Sequence, residues 1–296
     1  GAFIRYRKTG KGSPLLLLHT IRNRLEYSDN IVQLLKKKFT IYSIDLPGFG
    51  ESPINTKTNY DQTFFTDCIV DFIEKKKLSK LTLAGESIGG VLPFSISQKT
   101  SKRILKIFSF NPYDYDKKFG DGIGRGNFFA RFIMFHVSLP ILGSLFARLE
   151  NKIVLKNIFN GGFVDKKKFP EDYLNLLCKS YKHPGYYYHF RNVLSNYQSW
   201  TSTKNIYHDI NLPIELIYGD NDWSNDPTLD SGVYAMDQAN SRVFEVELDS
   251  GSGEYVFTTG NPIPLAPGWM PEPISFYIAN STSLGDITLQ SSSAEP

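Results

Sequence analysis

Leu81-Thr82-Leu83-Ala84 runs without a break into Gly85-Glu86-Ser87-Ile88-Gly89-Gly90, and an apolar helical pattern follows at once to Gln98. A bare G-x-S-x-G match is weak evidence, because Gly and Ser are common. Set between a short apolar strand and a helix, it reads as a nucleophile elbow, a turn that lifts a serine hydroxyl above the end of a sheet. The glycines follow from sterics, since side chains two residues from the serine clash in so sharp a turn. Such a unit implies an α/β protein with a mainly parallel sheet.

The rest of the chain repeats the alternation. Leu15–Leu18, Phe39–Ile44, Ile104–Phe110 and Ile214–Tyr218 are short apolar or β-branched runs of the kind buried on both faces of a sheet. Ile4-Arg5-Tyr6-Arg7 alternates like an edge strand before the turn at Gly10–Pro14. Helical spacing appears from Asp29 to Lys38 and from Tyr60 to Lys77. About a hundred residues, Tyr113 to Tyr207, carry helical spacing and many aromatics but no strand pattern. That is too long for a loop and predicts a helical insertion over the C-terminal edge of the sheet.

Charge divides the chain. Of its 33 basic and 30 acidic residues, 32 and 20 lie in residues 1–225, a balance of 32 − 20 = +12, and the remaining 71 residues hold Arg242 against ten acids, 1 − 10 = −9. The tail has no Lys, His or Cys. The division predicts three parts: an α/β core at 1–112 and 208–225, a helical cap at 113–207, and a divergent β-rich tail at 226–296. The tail's strand patterns weakly resemble one blade of a β-propeller-like repeat. A lone blade cannot bury its faces, so the strands are expected on the sheet's edge or as a loose hairpin. The break reads either as an acidic, Ser/Pro-rich terminal region or as a replaced C-terminal third joined near Asn225. The overall charge of +3 gives no case for a nucleic-acid partner. Cys68 and Cys178 make neither a disulfide framework nor a metal site. No apolar run is long enough to span a membrane and no signal-peptide pattern opens the chain, so a cytoplasmic location is expected. Residue 1 is Gly rather than Met, and an incomplete N-terminus is expected.

Four motifs in order carry a family resemblance: His19 closing Leu15–Leu18, Asp45-Leu46-Pro47-Gly48-Phe49-Gly50-Glu51-Ser52, the elbow around Ser87, and Gly219-Asp220-Asn221-Asp222. Residues 3–225 resemble the capped branch of the α/β-hydrolase superfamily, which includes epoxide hydrolases, haloalkane dehalogenases and many esterases. The resemblance implies Ser87 as nucleophile, Asp222 as triad acid (with Asp220 and Asp114 weaker candidates), and an oxyanion hole made by the backbone N–H groups of Ile21 and Ile88. It implies no cofactor and no metal. Serine at 87 points to acyl transfer on a small apolar ester, since an epoxide hydrolase or dehalogenase of this kind needs a carboxylate there. The family usually has Gly where this chain has Thr20, which narrows the oxyanion loop. His19 reads as a structural histidine holding that loop.

The resemblance then breaks. The family's base is a His some 25 to 30 residues beyond the acid, and no His follows His208 here. Glu254 stands near the expected place but is too weak a base. His183 and His189 in the cap are the remaining candidates, each more readily read as packing among tyrosines. A catalytically inactive, ligand-binding hydrolase fold is therefore the alternative function. The apolar stretch Asn127–Gly143, with Arg131 at its rim, reads as cap packing ahead of an acyl-pocket wall or a membrane-surface contact.

Overall fold

The computed structural model describes residues 3–114, 128–139, 142–160 and 170–217, together with strand segments 233–237, 242–248 and 255–258. Its strands are β1 (Tyr6–Thr9), β2 (Ser13–Leu18), β3 (Phe39–Ile44), β4 (Leu81–Glu86), β5 (Ile104–Phe110), β6 (Ile214–Ile217), β7 (Val233–Asp237), β8 (Arg242–Leu248) and β9 (Tyr255–Thr258). They lie in one sheet in the order β1-β3-β2-β4-β5-β6-β7-β8-β9. The central five, β3-β2-β4-β5-β6, are parallel, and β1 is antiparallel on one edge.

The centre is apolar because both faces are covered. Leu16, Ile41, Ile44, Leu81, Leu83 and Ile107 are fully buried. Each such side chain contributes about 1.5–3 kcal/mol relative to leaving it in water. Helices α1 (Asp29–Leu35), α2 (Gln62–Lys75) and α3 (Ile88–Thr100) make the crossovers. Phe65, Ile69, Phe72 and Ile73 of α2 recur at helical spacing and pack into the main core. Asp61 caps that helix, its side chain accepting the N–H of Phe64 at 2.8 Å.

Between β5 and β6 the described residues form helices α4 (Phe128–Ser138), α5 (Gly143–Arg148), α6 (Lys152–Asn160), α7 (Glu171–Ser180), α8 (Tyr186–Ser195) and α9 (Tyr197–Thr201), then a 3-10 segment. Met134, Val137, Ala147, Tyr186, Phe190 and Leu194 form a second apolar cluster there, and Ile21 packs against both this cluster and the main core. Phe128, Phe132 and Phe135 of α4 are exposed, whereas Met134 and Val137 turn inward. No helix of the described residues is long and apolar enough to cross a membrane.

In the tail, β7, β8 and β9 continue the sheet as antiparallel strands, with Ala235 opposite Ile217 at the junction. Of the two arrangements expected, edge pairing is the one adopted. An open sheet edge offers unpaired N–H and C=O groups to any strand that follows it.

The chain runs from β2 to β3 on one side and from β4 to β5 on the other. The switch in direction lies between β2 and β4, where α/β sheets hold ligands at their carboxyl ends. Register makes this concrete, because Leu18 stands opposite Gly85. The loops after Leu18 and after Glu86 therefore leave the sheet side by side.

Candidate active site

Ser87 occupies the turn between β4 and α3 with φ 56° and ψ −119°. A non-glycine residue there carries on the order of 1–3 kcal/mol of strain. Four backbone hydrogen bonds hold it. Its N–H donates to Phe110 O at 3.0 Å, and its carbonyl accepts from Gly90, Val91 and Tyr113 at 2.9–3.1 Å. Gly89 lies against β2 so closely that a Cβ would run into the carbonyls of Leu18 and His19, and a Cβ on Gly85 would meet Gly89. Ser87 is half-buried, and buried Ile88 opens α3, so the N–H groups of the first turn lie at the positive end of the helix.

The loop after β2 is fixed by His19. Its Nδ1–H donates to Thr20 O at 2.7 Å, and its Nε2 accepts the N–H of Leu46 at 3.0 Å. Burial lowers its pKa, against opposing pulls from Asp45 and Thr20. Both ring nitrogens are thus occupied in the neutral form, as expected of a structural histidine. The Asp45–Ser52 motif is likewise architectural. Asp45 is fully buried and accepts from the Leu25 and Glu51 N–H groups at 2.7 Å and from Arg5 Nε. Gly50, at φ +54°, leaves no room for a Cβ beside that carboxylate. Around it, Arg5, Arg24 and Glu26 form an ion-pair network. Burial pushes the Glu26 pKa up, but the hydrogen bonds from Arg24 and Arg5 win and bring it down to about 2.

The histidines differ sharply. His189, on α8, is fully buried, with ring centroids 4.5 Å from Phe49 and 4.3 Å from Tyr60, and its Nε2–H donates to Pro47 O at 3.0 Å. Burial lowers its pKa to about 3. Those contacts make it a core residue that docks α8 on the loop after β3. His136 engages Phe132 O through Nδ1. His183 is partly exposed, 3.6 Å from Glu51 Oε2, and lines a cleft with Arg22, Gly48 and Phe49.

Of the candidate acids, Asp222, Asp220 and Glu254 lie outside the described residues. Asp114 follows Tyr113, whose N–H bonds the Ser87 carbonyl, and Asp114 Oδ2 accepts the Tyr207 hydroxyl at 2.8 Å. Burial raises the Asp114 pKa, which the hydrogen bond from Tyr207 partly offsets.

One cluster has no counterpart in the sequence reading. Arg22, Glu150, Ser180 and Tyr186 are all buried and meet where the β2 loop touches the cap. Arg22 and Glu150 are separated by 128 residues, and no periodicity links them. The only local signal is an arginine one place beyond an oxyanion-loop residue.

Comparison with known proteins agrees with this fold. The family described as alpha/beta hydrolase fold matches residues 13–257, past the composition break at Asn225 and through β7 and β8. An abhydrolase domain-containing protein of Caenorhabditis elegans is 27% identical over 107 residues, 35% of this chain and 24% of that protein. A pimeloyl-(acyl-carrier protein) methyl ester esterase of Nitrosomonas europaea is 26% identical over 106 residues, 36% of this chain and 40% of the other. The chain thus spans well under half the length of these curated relatives. Among solved structures, a meta-cleavage product hydrolase from Pseudomonas fluorescens superposes with a TM-score of 0.60 at 15% identity, over 74% of this chain and 76% of that one. At that identity the likeness is one of fold.

Proposed function

Because the chain belongs to the alpha/beta hydrolase fold family, we propose that it is a serine hydrolase of small, largely apolar esters or related acyl compounds. The observation that carries this reading is the strained backbone of Ser87, held between the switch-point strands at the head of α3. Strain of this kind persists only where the surroundings enforce it, and its effect is to present the hydroxyl above the sheet. The esterase named among the relatives supports an acyl substrate. So does the apolar cluster of the cap, which meets the β2 loop at Ile21.

In this reading Ser87 Oγ attacks the acyl carbonyl while its proton passes to a base. The N–H groups of Ile88 and Ile21 stabilise the oxyanion. Collapse expels the alcohol, which takes the proton, and water then frees the acid by the same steps in reverse. We assign the base to His183, the partly exposed one of the two cap histidines that the resemblance leaves, since His189 is fully buried against Phe49 and Tyr60. Asp222 keeps the family position of the orienting acid. The protein acts in the cytoplasm, without metal, cofactor or nucleic acid.

A second reading, an inert fold that binds an apolar ligand, is favoured by one observation: no histidine follows His208. Loss of the triad histidine in subtilisin costs about 10⁶ in kcat. Labelling with a fluorophosphonate probe separates the two. Ser87-dependent labelling, abolished in Ser87→Ala and reduced at least tenfold in His183→Ala but not in His189→Gln, is expected. A folded chain that takes no label would leave only the inert reading.

A further inference from the structure

Arg22 follows the oxyanion-loop residue Ile21 and is buried, at 6% exposure, with a left-handed φ of 60°. Its Nη2 donates to Glu150 Oε2 at 2.8 Å, and its guanidinium lies 3.8 Å over the Phe190 ring. The other carboxylate oxygen of Glu150 accepts the Tyr186 hydroxyl at 2.6 Å. That leaves Arg22 Nε and Nη1 without a hydrogen-bond partner among the described residues, and the same holds for Ser180 Oγ. All three atoms belong to residues that line one narrow cleft, with enclosed room for little more than a single water-sized oxygen, between the β2 loop, the Gly48–Gly50 turn and the cap.

Three buried polar atoms without partners are costly, and most of all on a charged group. Their convergence on one cleft marks it as a place for an oxygen acceptor. The charge balance selects the kind. Arg22 is already neutralised by Glu150, and beside them Glu51 is paired with Arg24. An added carboxylate would meet two carboxylates whose counter-charges are taken, whereas a carbonyl oxygen accepts the free N–H groups at no electrostatic cost.

We propose that this cleft is a specificity subsite that takes an uncharged oxygen acceptor, a ketone or amide carbonyl, borne on the acyl chain of the substrate. The acyl chain rests on the hydrolase reading above, but the subsite is a binding property and is tested apart from turnover. In the full-length Ser87→Ala protein, binding of methyl 4-oxopentanoate, methyl pentanoate and monomethyl succinate is measured by chemical-shift titration. The oxo ester should bind about tenfold more tightly than the other two, the increment expected of one hydrogen bond to a charged donor. The preference should shrink to within about twofold when Arg22→Met and Glu150→Gln are combined, a pair that removes both buried charges together. Ser180→Ala, which leaves the ion pair intact, should weaken it by a smaller factor.

Equal binding of the two neutral esters would overturn the proposal, leaving a cleft that serves only water. Preference for the succinate would overturn the charge argument. A preference that survives both sets of substitutions would place the acceptor elsewhere. If the probe fails to label Ser87 while the oxo-ester preference holds, the hydrolase reading falls and the subsite stands.

Discussion

Gly89 has the carbonyls of Leu18 and His19 against its α-carbon, so the elbow and the oxyanion loop are in backbone contact with no side chain between them. A Cβ at 89 meets backbone on β2, which cannot turn aside as a side chain would. Gly89→Ala must therefore move either α3 or the loop that carries Ile21. Shifts near 1 Å at a reacting centre cost about 100-fold. Probe labelling of Gly89→Ala should fall at least that far, with a loss of about 1–3 kcal/mol in urea denaturation. Full labelling in the variant would show that the contact between the two loops has no part in placing the hydroxyl.

At the scale of elements, α2 shows how a local signal fixes a boundary. The spacing of Phe64, Cys68, Ile69, Phe72 and Ile73 predicts a helix over 60–77, and the structure trims it to Gln62–Lys75. Asp61 takes the cap at one end, and Lys77, at φ 52°, turns the chain away at the other. Asp61→Ala should cost about 1 kcal/mol of stability and leave Ser87 labelling unchanged. A cost near zero would mean that the pairing of Gln62 with Ser95 and Ser199 holds the helix start without the cap. The five central strands were legible for a similar reason, since a short apolar run with turns at both ends has few alternatives to a buried strand. The edge strand was less so. Alternation at 4–7 becomes Tyr6–Thr9 once Tyr6 pairs with Ile44, because a pattern of period two does not fix its own ends. The elbow was visible in five consecutive residues, while the Arg22–Glu150 pair joins two loops that only the fold brings together. The Asp45 motif was visible as sequence, yet its role in tying two backbone N–H groups and the Arg5 side chain together emerged only from geometry.

For the molecule as a whole, His189 decides how the cap helix α8 stays seated on the core as pH falls. Its ring fills the space beside Gly48, where a Cβ would run into it, and lies against Phe49 and Tyr60. Burial favours the neutral ring and lowers its pKa to about 3, from an unfolded value near 6.5. Between those two values the unfolded chain binds the proton and the folded chain does not. Its contribution is therefore complete above pH 6.5 and is lost as pH falls towards 3, at up to about 1.4 kcal/mol per pH unit. His19, whose pKa burial also lowers, adds a loss of the same sign, so the total slope does not isolate His189. Glu26 is separable, because its stabilisation is lost only below about pH 4.5. His189→Gln isolates the effect, since a glutamine can still donate to Pro47 O but does not titrate. At pH 7.5 the variant should be less stable than the parent through poorer packing. By pH 4.5 the gap should close by at least 1 kcal/mol, and the sign should reverse if the packing loss is small. Urea denaturation of both proteins at half-unit steps from pH 7.5 to 4.5 reads this directly. Two stability curves running parallel over that range would mean that the seat of α8 tolerates an imidazolium, and the neutral ring between core and cap would then play no part in the acid sensitivity of the fold.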